Sequence, residues 1–322
     1  MPNWSRNRVF AGRSRDQFVD LSTSVGDVAL PNPVMTASGT SGHGAELGAY
    51  FDLSGLGAVV VKSVSAKPWD GNPAPRLHPV AAGMMNAVGL QNPGVAAWRE
   101  TELPALRAAG ARVVASIWGF SVEDYKSAAD ALARCGPEVV AVEVNLSCPN
   151  IEDRRQMFAH DPAKAAAAIE ATAGCCRPRW AKLSPNVTDI TQIAGAVLDA
   201  GASAVTLINT VMGLAIDPSS GKARLGNGGG GLSGAAIHPV AVRAVYDVRA
   251  AFPNAVIVGV GGVDSGESAA ELLAAGANAI QVGTATFADP RAPHRVLNEL
   301  QAWCNAHNVS NISQLIGKAH RS

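Results

Sequence analysis

The hexapeptide Asn-Leu-Ser-Cys-Pro-Asn at 145–150 is the segment of this chain whose residue types best suit chemistry. It follows the apolar run 139–144, which indicates a buried strand, and Pro149 has no N–H with which to continue a strand ladder. The thiol of Cys148 therefore falls where a strand gives way to a loop. Two interpretations follow, a general base active near neutral pH or a small buried hydrophobe.

Other polar side chains stand at or just beyond the ends of further apolar runs. A single lysine near a strand end is usually a solvated cap or half of an ion pair, but several amides and lysines at one barrel mouth favour a binding site. Amides present donors and acceptors in one plane, which suits a small planar ligand such as a pyrimidine. A neighbouring lysine suits an anionic substituent or developing negative charge. The set comprises Lys62, Asn86, Asn145, Asn150, Lys182, Asn209 and Thr210.

Glycines mark the ends of the last two apolar runs. Gly259, Gly261 and Gly262 follow one run, and Gly283 with Thr284 follows the other. Barrels often bind phosphate with the loops at these positions, where glycine lets backbone N–H groups approach closely. This pattern predicts a phosphorylated ligand or cofactor. It lies too late in the chain for a Rossmann fingerprint.

Apolar strand-like runs alternate with helical segments along the chain. Eight such β-α units predict a (β/α)₈ barrel, with an open doubly wound sheet as the alternative. The predicted strands are 33–38, 58–63, 112–117, 139–146, 180–184, 204–209, 255–261 and 279–284.

Helix start signals and the lengths of the connections between strands add detail to the predicted barrel. Asp161-Pro162 is typical of a helix start, as are Thr188 or Asp189 and Asp264 or Ser265. Residues 18–30 suggest a hairpin that closes the bottom of the barrel. The long connections 64–88 and 211–237 are expected to be binding loops. The glycine run 228–231 in the second has a plain flexible linker as its alternative.

Composition excludes several classes. The chain has 322 residues, 48% hydrophobic and 16% charged, with 26 basic and 26 acidic residues, so we expect one compact domain (1–322, with an arm at 1–17) and no nucleic-acid partner. No apolar run is long enough to span a membrane, and no secretory signal is visible. Five cysteines without a C-x-x-C pair favour a reducing cytoplasm and no metal site. No paired carboxylates stand at strand ends, which disfavours glycosidase chemistry.

Six motifs together resemble dihydroorotate dehydrogenases, and most closely the class 1B branch. They are N-L-S-C-P-N at 145–150, K-L-S-P-N-V-T-D at 182–189, I-N-T-V-M-G at 208–213, G-G-L-S-G at 230–234, G-N-P-A-P-R at 71–76 and G-M-M-N-A-V-G-L-Q-N-P-G at 83–94. The resemblance implies FMN in the barrel mouth and oxidation of dihydroorotate to orotate in pyrimidine biosynthesis. It also implies a homodimer, and a partner subunit that carries FAD and a [2Fe–2S] cluster and delivers electrons to NAD.

The resemblance also implies roles for individual residues. Cys148 would be the base that removes the C5 proton, assisted by Lys62 and Lys182, with Lys182 stabilising negative charge on reduced flavin. Orotate would be held by Lys62, Asn86, Ala87, Val88, Gly89, Leu90, Asn145, Asn150, Asn209 and Thr210. Flavin would contact Ala37, Ser38, Lys62, Ser63, Asn145, Lys182 and Ile208, and its phosphate Gly234, Gly261, Gly262, Gly283 and Thr284.

Two positions depart from the family pattern. Ser116 stands where an asparagine near the flavin is typical, and the glycine run at 228–231 replaces a more varied stretch. Two other functions stay open at this point. One is a dihydropyrimidine dehydrogenase-like subunit acting on uracil or thymine, which Lys62 and the amides at 86–90 disfavour because they suit a carboxylate. The other is a non-catalytic phosphate-binding barrel. The electron acceptor is also open, with quinone, fumarate and oxygen as alternatives to NAD.

Overall fold

The computed structural model describes residues 19–147 and 157–321. The strands in this part of the chain are β1 (Thr23–Val25), β2 (Val28–Leu30), β3 (Val34–Thr36), β4 (Val59–Val60), β5 (Leu77–Val80), β6 (Gly83–Asn86), β7 (Val113–Ile117), β8 (Val139–Asn145), β9 (Arg179–Lys182), β10 (Ala204–Leu207), β11 (Val211–Gly213), β12 (Gly230–Ser233), β13 (Ile257–Val260) and β14 (Ala279–Val282). The α-helices are α1 (Val95–Thr101), α2 (Leu103–Ala108), α3 (Val122–Leu132), α4 (Pro162–Ala171), α5 (Ile190–Asp199), α6 (His238–Ala251), α7 (Gly266–Ala275), α8 (Ala285–Ala288) and α9 (Ala292–Ala306).

Eight parallel strands form the central sheet, in the order β3-β14-β13-β10-β9-β8-β7-β4. A parallel bridge between Met35 and Ala58 and a backbone hydrogen bond from Gly57 to Val34 join the two outer strands, so the sheet closes on itself. The predicted (β/α)₈ barrel is confirmed. Strand β4 is shorter than expected because the chain leaves the ladder after Val60, and the N–H of Lys62 bonds to the carbonyl of Gly42 instead.

The barrel interior changes from apolar to polar along its axis. Each of the eight strands contributes an apolar residue to one cluster with Val25, Val28 and Leu30 of the β1–β2 hairpin, which plugs the bottom as predicted. Side chains two residues further along a strand face the same way. On five strands these next interior residues are polar and buried: Ser116, Glu143, Lys182, Thr206 and Gln281. The interior therefore becomes polar toward the carboxyl ends of the strands.

The helices surround the barrel, and α4, α5 and α7 begin where the sequence signals predict. The Asp161 carboxylate caps α4, ahead of Pro162, and Asp189 rather than Thr188 caps α5. Ser265 rather than Asp264 caps α7, which ends before Gly276 at φ +129°. The main core lies between these helices and the outer face of the barrel, and includes fully buried Trp98, Tyr125 and Phe158. Along the described residues, no helix combines the length and apolar character needed to cross a membrane.

The two long connections are more ordered than a loop prediction implies. They contain β5, β6, β11 and β12, which pair as a four-stranded antiparallel sheet in the order β11-β12-β6-β5. The flexible-linker interpretation of the glycine run is wrong for Gly230 and Gly231, which lie in β12. A Cβ at Gly230 would collide with the carbonyl of Asn86, and one at Gly231 with the side chain of Thr210. These glycines serve close packing, because the backbone of β12 passes directly against two predicted site residues.

Candidate active site

A cavity of about 250 Å³ lies at the carboxyl ends of the barrel strands. Every barrel strand except β7 contributes lining residues at or just beyond its end, and the four-stranded sheet contributes others. The lining comprises Ala37, Ser38, Gly39, Thr40, Lys62, Ser63, Leu77, Met84, Asn86, Val88, Gly89, Leu90, Asn145, Ser147, Lys182, Ile208, Asn209, Thr210, Ser233, Gly234, Ile237, Val260, Gly261, Gly262, Gly283, Thr284 and Phe287.

Nearly all of the predicted site residues in the described chain line this one cavity. The exception is Ala87, whose side chain packs with Met85 and Leu225 in a small apolar cluster. Cys148 and Asn150 lie outside the described residues, although Ser147, one residue earlier, is part of the lining. The structure thus brings the amides, both lysines and the glycine turns together, while their individual roles stay predictions.

A line of hydrogen-bonded polar side chains crosses the floor of the cavity. Asn209 Nδ2 donates to Asn145 Oδ1 at 3.1 Å, and Asn145 Nδ2 approaches Ser63 Oγ at 3.5 Å. Ser63 Oγ lies 2.8 Å from Ser116 Oγ. Ser116 is fully buried and is not part of the lining, so it acts on the site through Ser63. The serine that departs from the family pattern therefore orients a lining hydroxyl instead of meeting a ligand directly.

Lys182, the last residue of β9, is 4% exposed. Its ammonium donates to Ser38 Oγ at 3.2 Å and lies 3.5 Å from Glu143 Oε1 in the barrel interior. A buried charge is tolerated only when it is paired and hydrogen-bonded. The pairing with Glu143 thus accounts for a lysine at this depth, with its ammonium at the cavity wall.

Lys62 also lines the cavity, at the point where the chain leaves β4. Its charge acts on His43: burial lowers the pKa of this imidazole, the positive charge of Lys62 lowers it further, and Glu46 opposes both. The carbonyl of His43 accepts a hydrogen bond of 2.7 Å from Trp98 Nε1, which anchors the segment to α1. His43 is therefore favoured in its neutral form beside the cationic Lys62.

The segment 86–90 is braced from outside the cavity. Asn92 donates to the carbonyl of Leu90 at 2.8 Å, and the indole N–H of Trp69 donates to the carbonyl of Gly89 at 3.0 Å. Asn72 donates to the carbonyl of Ala87 at 3.1 Å. Both Gly89 and Leu90 have positive φ, at +74° and +63°. Glycine adopts positive φ readily, so these bonds matter most for Leu90, whose conformation its own side chain disfavours.

The glycine turns form a tight cradle beside the start of α6. Gly234, Gly261 and Gly262 all have positive φ, and a Cβ on Gly262 would lie 2.6 Å from the Cβ of His238 and 2.9 Å from the carbonyl of Gly234. His238 Nδ1 lies 2.8 Å from the carbonyl of Gly261, which ties the turn to the helix. Only glycine fits these positions without displacing the backbone.

Three residues that contact the predicted site residues are not predicted by the motifs. Glu143 and Gln281 lie beside Lys182 in the barrel interior. Asn186 holds the start of the β11 segment by donating to the carbonyl of Thr210 and accepting from the N–H of Met212. Glu143 carried a readable signal, since a carboxylate inside the otherwise apolar run 139–144 needs a buried partner. Asn186 lies in the motif at 182–189, but its contacts are with the β11 segment, which is distant in sequence.

Taken together, the cavity combines cations at Lys62 and Lys182 with an amide-rich floor and a glycine cradle. Such a donor set suits a planar ligand with carbonyl and carboxylate edges, together with a second, phosphorylated group. Within the part of the chain that the structure describes, no three His, Cys, Asp or Glu residues cluster in a way that could hold a metal ion.

Comparison with known proteins agrees with this geometry. A family model described as dihydroorotate dehydrogenase matches residues 20–303. The chain is 44% identical over 299 residues to the dihydroorotate dehydrogenase B (NAD(+)) catalytic subunit of Geobacter metallireducens, covering 92% of this chain and 97% of that protein. The proteins of the same name from Geobacter sp. strain M21 and Citrifermentans bemidjiense are each 43% identical, at the same coverage. The match spans the barrel, the four-stranded sheet and the cavity, and this chain belongs to the dihydroorotate dehydrogenase family.

Proposed function

We propose that this chain oxidises (S)-dihydroorotate to orotate in the de novo synthesis of pyrimidines, with FMN as its cofactor. The observation that carries the proposal is the cavity at the barrel mouth. There the amide floor, Lys62 and Lys182 meet the glycine cradle in a chain of this family. An amide-rich pocket beside a lysine suits the carbonyl edges and the carboxylate of dihydroorotate.

The lining residues fit FMN. Gly234, Gly261 and Gly262 line the cavity without side chains, so their backbone can approach a phosphate group, and Thr284 adds a hydroxyl to the same lining. Lys182 brings a cation to a nearly solvent-free wall, where it would favour negative charge on a reduced ring. When bound, FMN supplies the acceptor for the two-electron hydride that leaves C6 of the substrate.

The chain's own residues would bind the substrate and move one proton. Lys62 and the backbone at 86–90 would hold the carboxylate side, and Asn145, Asn209 and Thr210 the ring amides. Cys148 would take the proton from C5 as the C6–H bond breaks, so that the C5=C6 double bond forms and the electrons balance. Ser147 in the cavity lining supports this role, since the next residue along the chain is Cys148.

We further propose that the chain is a catalytic subunit that forms a homodimer and works with a partner carrying FAD and a [2Fe–2S] cluster, which passes electrons to NAD. The support is the printed name of relatives above 40% identity, each a catalytic subunit of an NAD(+) enzyme. Expression with the candidate partner tests it. Co-purification with electron transfer to NAD would support the assignment, whereas reduction of only quinone, fumarate or oxygen would oppose it.

Visible spectroscopy under anaerobic conditions tests the catalytic assignment. The purified chain, loaded with FMN, is mixed with dihydroorotate, and the flavin absorbance is followed. Bleaching by dihydroorotate but not by dihydrouracil is expected. Bleaching by dihydrouracil alone would move the assignment to a dihydropyrimidine dehydrogenase-like activity, and a chain that takes up no FMN would overturn the flavoenzyme proposal.

A further inference from the structure

A buried carboxylate, Glu143, stands directly beneath the cavity. It lies in β8 two residues before Asn145 and on the same interior face, and it is completely buried. Gln281, from β14, donates to Glu143 Oε2 at 2.7 Å, while Lys182, from the neighbouring β9, lies 3.5 Å from Oε1. The carboxylate is thus held from two other strands of the barrel.

Neither the reaction nor the motifs require a negative charge at this point. Burying a carboxylate costs several kcal/mol unless it is paired, and the apolar alternatives Val, Ala, Trp and Met fill the layer just below. A buried carboxylate at this position is therefore expected to have a specific cationic partner. Within the described residues its cationic partner is Lys182, and both side chains are almost completely buried in the barrel interior.

The geometry makes Lys182 the member of the pair that faces a ligand. Lys182 lines the cavity and Glu143 does not, so the positive charge stands between the carboxylate and any bound ring. An ammonium has three donors. In the described chain one of these reaches Ser38 Oγ at 3.2 Å. The ammonium forms an ion pair with Glu143 Oε1, but their separation of 3.5 Å is longer than the 2.7–2.9 Å typical of a charged hydrogen bond. The arrangement leaves donor capacity for a ligand.

We propose that Glu143, anchored by Gln281, is a positioning residue that holds the Lys182 ammonium fixed against the cavity wall, and thereby raises the reduction potential of bound flavin. The inference rests on the proposed FMN site. Without the carboxylate, the buried Lys182 ammonium would lose its counter-ion, and its position at the cavity wall would no longer be fixed. That change moves a positive charge away from the reduced, anionic ring.

The test is the midpoint potential of bound FMN in the Glu143→Gln variant, which keeps an acceptor oxygen for Gln281. We expect the ratio of oxidised-state to reduced-state FMN dissociation constants to fall about tenfold, a shift of about 30 mV toward lower potential for a two-electron couple. An unchanged potential would make Glu143 a structural spacer and overturn the proposal. A raised potential would also overturn it, because the carboxylate would then act on the flavin directly rather than through Lys182.

Two further variants test whether the effect is specific to Glu143 and passes through Lys182. Glu138→Gln is the matched control, since Glu138 precedes the same strand and is paired with Arg107 away from the cavity, so it should leave the potential unchanged. Adding Glu143→Gln to a Lys182→Gln background should produce no further shift, because the proposed effect passes through Lys182. A full additional shift in that background would contradict the proposal.

A flavin-free measurement gives an independent readout. In urea unfolding of the apoprotein, Glu143→Gln and Lys182→Gln should each lower the midpoint, and the double variant should recover part of the loss, because it leaves no unpaired buried charge. Simple addition of the two losses would overturn the pairing.

If Glu143→Gln does not fold, Gln281→Leu removes only the residue that anchors Glu143 and must lower the flavin potential in the same direction. An unchanged potential in Gln281→Leu would again overturn the proposal. A wild-type chain that binds no FMN would fail the proposed function first, whereas normal FMN binding with an unshifted variant would fail this inference alone.

Discussion

At the scale of single residues, the cavity is organised by hydrogen bonds between side chains that are far apart in sequence. Asn145 accepts from Asn209 and lies beside Ser63, which in turn meets Ser116. Its backbone carbonyl also accepts a 2.6 Å hydrogen bond from the hydroxyl of Tyr125 on α3. Asn145 is thus fixed from three directions before any ligand arrives, which is the pre-organisation that a binding amide requires.

Replacing Cys148 by serine tests the proposed base. We expect Cys148→Ser to bind FMN normally but to slow flavin reduction by dihydroorotate by about 10²–10⁴-fold, because an alcohol is a far poorer base than a thiol. Anaerobic stopped-flow absorbance measures the rate. Cys176→Ser is the control, since Cys176 is an exposed free cysteine outside the cavity lining. Wild-type reduction kinetics in Cys148→Ser would rule the cysteine out as the base.

His43 provides a prediction of pH dependence. Because burial and Lys62 lower the pKa of His43 below its ordinary value of 6.5, the unfolded chain binds more protons than the folded chain between the two values. The contribution of His43 to stability is therefore fully present above about pH 6.5 and declines as the pH falls toward the lowered value.

The His43→Gln variant isolates this contribution. Free energies of unfolding from urea titrations at about pH 8 and about pH 5 should fall less between the two conditions in His43→Gln than in the wild type. The comparison between proteins cancels the other titrating groups. An equal or larger fall in the variant would show that His43 is not held in its neutral form.

At the scale of elements, the turns after β13 and before α6 fit together because their residues lack side chains. Gly262 faces His238 and the carbonyl of Gly234, and His238 returns a contact to the carbonyl of Gly261. The four-stranded sheet follows the same rule, since Gly230 and Gly231 allow β12 to pass against Asn86 and Thr210. In both places the lack of a side chain lets backbone pack against residues of the cavity wall.

A pair of glycine substitutions separates backbone strain from cradle geometry. Gly262 and Gly317 share φ +68°, but a Cβ at Gly317 meets nothing within 4 Å. Gly317→Ala should cost about 1–2 kcal/mol of unfolding free energy for the left-handed conformation alone and leave FMN affinity unchanged. Gly262→Ala should cost more and weaken FMN binding at least about tenfold, since 1.4 kcal/mol of lost contact suffices. Fluorescence titration of the apoprotein measures the affinity, and equal FMN binding by the two variants would contradict the cradle.

At the scale of the whole molecule, the barrel has an apolar end and an opposite end that carries the candidate active site. The β1–β2 hairpin and one apolar layer close the bottom, the layer with Glu143, Lys182 and Gln281 is polar, and the cavity follows above it. Stability and chemistry are thereby separated along the axis, as expected when the site lies at the carboxyl ends of barrel strands.

Because the two ends of the barrel are separate, weakening the packing of the β1–β2 hairpin at the bottom should leave the candidate active site unaffected. Leu30 is 2% exposed at the bottom of the barrel, and Leu30→Ala should lower the free energy of unfolding by about 2–5 kcal/mol while FMN affinity is retained. Leu214→Ala, at a side chain that is 58% exposed, should change stability by less than about 0.5 kcal/mol. Loss of FMN binding by folded Leu30→Ala would show that the two ends of the barrel are coupled.

The sequence by itself determined the architecture and the main polar and glycine residues of the cavity lining. Strands buried on both faces, helix caps such as Asp161 and Asp189, and glycines at strand ends are local signals, and each acts within a few residues of its position. Because the carboxyl ends of parallel strands lie at one rim of the barrel, residues predicted to end strands are expected to lie close together at that rim. Lys62, Lys182 and Asn209 accordingly line one cavity.

Only the tertiary structure decided which side chains pair across the barrel. Glu143 and Gln281 are 138 positions apart. Gly231 packs against Thr210 in a four-stranded sheet whose pairing no local pattern predicts. The same folding turned Ala87 away from the cavity and placed Ser116 behind Ser63 instead of at the surface of the site. Such contacts depend on barrel closure and strand register, which set neighbours across the interior. The periodicity of a single strand fixes only which face of that strand a residue occupies.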